Sequence, residues 1–114
     1  MWLVTSIGFF NIVCQDDDKE HDLLTVKARC RQDLIDLEDY VPFELDIEES
    51  NVTDYRFRRK ANRHLVADGI QLLLREIDYP KTKPKLMENR PDRAAIYLAA
   101  WSDLYSIQGI DETT

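Results

Sequence analysis

Residues 2–14 (Trp-Leu-Val-Thr-Ser-Ile-Gly-Phe-Phe-Asn-Ile-Val-Cys) form a long, mostly apolar run. It reads as one β-strand that is apolar on both faces. A strand in a half-solvated sheet needs only one apolar face. The second face therefore calls for cover by a helix, another subunit or a ligand. A polar connector, residues 15–22, follows. Residues 24–30 (Leu-Thr-Val-Lys-Ala-Arg-Cys) alternate with period two, the signature of a half-buried strand. Pairing Cys14 with Leu24 sets Ile12 opposite Val26, Phe10 opposite Ala28 and Gly8 opposite Cys30, large against small on a core face. Ile7, Phe9, Asn11 and Val13 then fall on the outer face beside Thr25, Lys27, Arg29 and Arg31.

Arg31 to Val41 predicts a helix. Leu34, Leu37 and Val41 share one side, Asp33, Asp36 and Asp39 take another, and Pro42 ends it. Residues 43–48 alternate again and predict a third strand; Asn51–Asp54 make a turn, and Tyr55–Ala61 a fourth strand. Pairing Glu48 with Arg56 places Asp46 against Arg58 and Glu44 against Lys60, with Ile47 on Phe57 and Phe43 on Ala61. Such charge pairs fix register, because a one-residue slip buries every one of them. Arg59 falls on the core side, where it must snorkel or find a partner. Asn62 is a good N-cap for a helix carrying Leu65, Val66, Ile70, Leu73, Leu74 and Ile77 on one side. An extended basic link, Pro80–Lys85, leads to a last helix that opens near Pro91. Its apolar stripe is Ala94, Tyr97, Leu98, Trp101, Leu104 and Tyr105, and Gly109 is its expected end. The order ββαββα(α) predicts an α+β domain over residues 1–109 with a frayed tail at 110–114. Its fold is a four-stranded antiparallel sheet with helices on one face, in a permuted ferredoxin-like arrangement. The first and third strands lie at the edges, and only the third is guarded by acidic side chains.

Composition narrows this picture. The chain has 114 residues, 44% hydrophobic and 32% charged, with 3 Gly and 4 Pro, which fits one soluble globular domain. No Lys or Arg precedes the apolar start and no small-residue cleavage site follows it, which argues against a signal peptide. No run reaches the ~18 apolar residues of a membrane span. The two cysteines, Cys14 and Cys30, lie far apart along the predicted hairpin, so a bridge between them is excluded by geometry. Reduced thiols on the core side point to the cytoplasm. The net charge of −7 is unevenly distributed. Residues 1–54 carry 4 basic and 14 acidic side chains, residues 55–93 carry 11 and 5, and residues 94–114 carry none and 3. The predicted cross-strand ion pairs account for much of that segregation.

Five pieces, residues 6–10 (Ser-Ile-Gly-Phe-Phe), 24–29 (Leu-Thr-Val-Lys-Ala-Arg), 54–58 (Asp-Tyr-Arg-Phe-Arg), 77–80 (Ile-Asp-Tyr-Pro) and the late Tyr97 and Trp101, span most of the chain. As a set they resemble a group of small, uncharacterised bacterial proteins. Where such proteins carry Asn-Phe-Lys after the Tyr-Pro pair, this chain has Lys81-Thr82-Lys83. The resemblance implies a bacterial cytoplasmic domain and brings no activity and no catalytic residues.

No catalytic or cofactor motif stands out. The acidic run Asp16, Asp17, Asp18, Glu20, His21, Asp22 could offer oxygen ligands to a hard cation, yet it lacks the glycine and distal glutamate of a calcium loop; a solvated hairpin loop is the better reading. His21 and His64 have no Cys or second His at ligand spacing, and Cys14 and Cys30 have no nearby His to activate them. No enzyme, metal or cofactor is therefore assigned. Lys27, Arg29, Arg56, Arg58 and Lys60 would line the open sheet face beside Phe9, as in domains that stack single-stranded RNA on a sheet. Glu44, Asp46 and Glu48 would partly neutralise that patch. Asn51-Val52-Thr53 matches a glycosylation sequon and is read as a turn. The expected function is non-enzymatic protein–protein contact by a homodimer, with Ile7, Phe9, Val13, Trp101 and Tyr105 as interface candidates. The alternative is a ligand pocket between the last helix and the sheet; nucleic-acid binding ranks third, and no membrane contact is expected.

Overall fold

The computed structural model describes residues 1–77 and 91–113; the basic link at Pro80–Lys85 lies outside them. The described residues form an α+β fold around one antiparallel sheet of five strands: β1 (Trp2–Thr5), β2 (Gly8–Val13), β3 (Leu23–Ala28), β4 (Glu48–Glu49) and β5 (Phe57–Asn62), in the order β1-β2-β3-β5-β4. Helices α1 (Arg31–Leu37) and α2 (Arg63–Arg75) follow β3 and β5, and α3 (Pro91–Thr113) closes the chain.

The first strand is two strands, not one. Val4 pairs with Phe9 and Thr5 with Gly8, so Ser6 and Ile7 form a two-residue turn. The Thr5 side chain explains it. Its hydroxyl accepts from the Ile7 and Gly8 N–H groups (3.2 Å each) and donates to the Gly8 carbonyl (3.0 Å), a local bonding pattern that competes with a continuing strand. The turn also takes Ile7 off the outer face, and its side chain packs against the core.

The β2–β3 register is the expected one, with Ile12 opposite Val26. Phe10, Ile12, Val26 and Ala28 are buried with Leu34, Leu37 and Val41 from α1 and its exit and with Ala61, Val66 and Leu73. Both helices therefore cover one sheet face. Asn62 caps α2 through the His64 N–H (2.9 Å). Gly69 permits close approach, because a Cβ there would collide with Val41 Cγ2 and the Tyr40 carbonyl.

Four local expectations are corrected. The acidic connector folds as a short 3-10 helix, Asp16–His21, closed by a reciprocal Gln15–Asp18 capping box. The third strand shrinks to Glu48–Glu49, and Glu48 pairs with Arg58 rather than Arg56. Arg59 explains the shift: it donates to the Leu45 carbonyl (2.6 Å), pairs with Glu38 and lies 4.7 Å over the Phe43 ring. These contacts satisfy the core-side cation and hold residues 43–47 off the ladder, so the Asp46–Arg58 and Glu44–Lys60 rungs do not form. Leu74 and Ile77 are exposed rather than on the buried side of α2. Finally, α3 runs through Gly109 to Thr113; a helical glycine costs only about 1 kcal/mol, too little to stop a long helix.

Candidate interaction surface

Three sets of side chains give the molecule its chemical character. The first is an ionic cluster on the outer sheet face. Asp18, fully buried in the 3-10 helix, accepts from the Thr25 hydroxyl (2.7 Å) and the Gln15 N–H (2.9 Å) and pairs with Lys60. Burial pushes the Asp18 carboxyl up, but the bonds from Lys60, Thr25 and Gln15 outweigh it and leave the group below its ordinary value. Burial likewise lowers the Lys60 ammonium, and Asp18 and Asp17 more than offset that, so it ends raised. The acidic run is thus a structural plug over one end of the sheet. Among the described residues no group of three or more His, Cys, Asp or Glu side chains is placed to hold a metal ion.

The second set is a latch. Asp33 is buried at the start of α1, although its spacing with Asp36 suggested a solvent side. It accepts the Phe9 N–H (3.1 Å) and a bidentate Arg93 guanidinium, 2.8 Å at each oxygen. Arg93 also donates to the Tyr97 hydroxyl (3.1 Å). Gly8 makes room for the carboxylate, since a Cβ there would lie 2.5 Å from Asp33 Cγ. One carboxylate therefore ties β2, α1 and α3 together.

The third set answers what covers the second face of the first strand. Phe9 meets Trp2 edge-on (6.1 Å between centroids) and stacks on Tyr55 (6.4 Å), and the Arg29 guanidinium lies 4.3 Å over Tyr55. The chain thus supplies most of that cover itself. At the edge strand, Trp2 (68%) and Val4 (54%) remain exposed.

The basic patch is only partly available. Arg29 bonds the carbonyl and carboxylate of Asp54, Arg56 pairs with Glu49 (2.6 Å), Arg58 donates to Thr53 Oγ1 (2.7 Å), and Lys60 is held by Asp18. Of the five, Lys27 and Arg58 have no ion pair among the described residues. Of the thiols, Cys14 lies 3.5 Å from an Arg63 nitrogen, and Arg63 and His64 both meet the Asp22 carboxylate at 3.3 Å. His64 is exposed, and no contact joins it to Cys14. Both cysteines are free and half-buried.

The interface candidates separate in the same way. Ile7 is core packing, Phe9 and Val13 are half-buried, and Trp101 and Tyr105 are exposed on α3, 6.2 Å apart. Apart from half-buried Arg93, Ala94 and Tyr97, the α3 side chains from Pro91 to Ile110 are exposed. They include Ile96, Leu98, Leu104 and Ile107.

Sequence reading missed the pairing of Asp33 with Arg93, set Asp18 only within the acidic run, and left Trp2 as one residue of the apolar strand. A signal existed for Asp33, which stands four residues before Leu37 and so borders the buried side of α1. Another existed for Asp18, three residues after Gln15 in capping-box spacing. No family model, curated protein or solved structure matches the chain. Among the described residues no helix is long and apolar enough to cross a membrane.

Proposed function

We propose that the protein is a non-enzymatic interaction domain that self-associates, with α3 as the association element. The observation that carries this reading is the surface of α3. Between Ala94 and Ile110 its only charged side chain is Asp103, and large apolar groups occur on more than one side. A helix that is apolar all round belongs in a buried setting, and this one is exposed. The strongly bonded ionic groups, Asp18, Asp33 and Lys60, hold the fold together, which fits a structural rather than a catalytic use. The order β2-β3-β5-β4, with helices after β3 and β5, supports kinship with the permuted ferredoxin-like plan, with β1 as an addition. The bacterial cytoplasmic setting implied by the sequence resemblance belongs to the same reading.

Sedimentation over a wide concentration range tests it. The expected result is a dimer that gives way to folded monomer in Leu104→Asp and Ile107→Asp. A wild-type chain that stays monomeric at high concentration overturns the reading.

A further inference from the structure

We propose that α3 of one protomer docks across the outer sheet face of a second copy, with Asp103 seated on Lys27 and its apolar neighbours on Trp2 and Val4. The inference rests on the self-association reading and specifies its geometry.

The ladder aligns Trp2, Asn11, Lys27, Arg58 and Glu48 in one row across all five strands. Strands lie ~4.8 Å apart, so Lys27 and Trp2, two strands apart, are separated by about 10 Å along this row. On α3, Ile96, Asp103 and Ile107 fall at i, i+7 and i+11, one helical stripe. At 1.5 Å per residue, Ile96 lies ~10 Å and Ile107 ~6 Å from Asp103 along the axis. The spacing of one acid and its apolar neighbours on the helix thus matches that of one base and its apolar neighbour on the sheet. Both ions are available: neither Lys27 nor Asp103 has an ion pair among the described residues.

Charge favours the same match. Residues 94–114 hold three acidic side chains and no basic one, and the receiving row is net positive, with Lys27 and Arg58 against the single acid Glu48 at its far edge. The stripe and its seat are both open: Ile96 and Ile107 expose 66% and 57% of their surface, and Trp2 and Val4 expose 68% and 54%. Each chain donates one helix and one face, so the exchange closes as a two-fold dimer.

The test is a charge-reversal cycle read by sedimentation. Lys27→Glu and Asp103→Lys are each expected to weaken dimerisation roughly tenfold or more, because both copies of the contact become repulsive. Mixing the two variants is expected to restore dimerisation to near wild type, since every contact in the mixed dimer again joins opposite charges. Circular dichroism of each variant checks that it is folded, and the restored mixture excludes misfolding as the cause of any loss. A wild-type dimer indifferent to both changes overturns this geometry and leaves self-association standing, through α3–α3 pairing or the β1 edge. Loss in the single variants without recovery on mixing also overturns it. A wild-type chain that never dimerises removes both readings.

Discussion

The sheet body and α3 use similar apolar residues with opposite results. In the body, Phe10, Val26, Leu34, Leu37 and Val41 are fully hidden; in α3, Ile96, Tyr105 and Ile107 each expose more than half of their surface. The difference lies in the arrangement. Most body elements carry one apolar face that meets one partner layer, and the second apolar face of β2 is met within the chain by Trp2 and Tyr55. Helix α3 carries Tyr97, Leu98, Leu104 and Tyr105 on one side and Ile96, Ala100 and Ile107 on another. A single sheet face can cover only one such side. A segment whose apolar surface exceeds what its own fold can hide points beyond its own chain.

The contrast can be broken by substitution. The largest effect is expected at Phe10→Ala, a cost of about 3–5 kcal/mol in urea melts; a loss below ~1 kcal/mol means that the body is not packed as described. Asp33→Ala follows, at about 3 kcal/mol, because it leaves the Arg93 guanidinium without its buried carboxylate and the Phe9 N–H without an acceptor. Gly8→Ala acts on the same group, with an expected cost of about 1–3 kcal/mol. Its effect should be strongly sub-additive with Asp33→Ala in a double-mutant cycle, and full additivity would show that the two do not share a contact.

Titration sharpens the comparison, since the shifted groups stabilise the body and, among the described residues, none lies on α3 beyond its latch. Asp18 has a folded value below its ordinary 3.8. Its contribution is complete above that value and is lost as pH falls through the lower folded value. Asp18→Asn should therefore flatten the acid limb of the urea midpoint. Tyr40 behaves in the opposite sense. Its bond to Glu76 (2.6 Å), with burial, raises the phenol to about 12. That contribution is complete below pH 10 and is lost as pH rises through about 12, a step that Tyr40→Phe should remove. The smallest effect is expected at Ile107→Ala in dilute monomer, within ~0.5 kcal/mol; a cost near 2 kcal/mol would mean that α3 is already buried.

Period-two alternation was enough to register β2 on β3 and to place Phe10, Ile12, Val26 and Ala28 inside. The Asn62 cap and the acidic edge at Glu48 were equally legible, because both are local chemistry. What the sequence hid depends on single side chains reaching across the fold. The Ser6–Ile7 turn contains no glycine or proline at its centre, and it forms because the Thr5 hydroxyl captures two N–H groups. Arg59 reads as a misfit in a strand, and its bond to the Leu45 carbonyl is what displaces the expected charge ladder. The Asp33–Arg93 latch joins residues 60 apart in sequence, beyond the reach of any periodicity. The apolar stripe of α3 was visible, but whether it met its own sheet was not, since the same stripe serves a core and a dimer.

The latch also has a consequence for the order in which the chain is made. Asp33 sits in the first third of the sequence and its guanidinium arrives with residue 93. During vectorial synthesis the sheet and both of its helices can emerge before that partner exists. Until then, burying Asp33 means burying a carboxylate without its cation, so the nascent body is held short of its final stability. Release of residue 93 closes the latch, and the domain is completed only when α3, the segment that would reach a second copy, has also emerged.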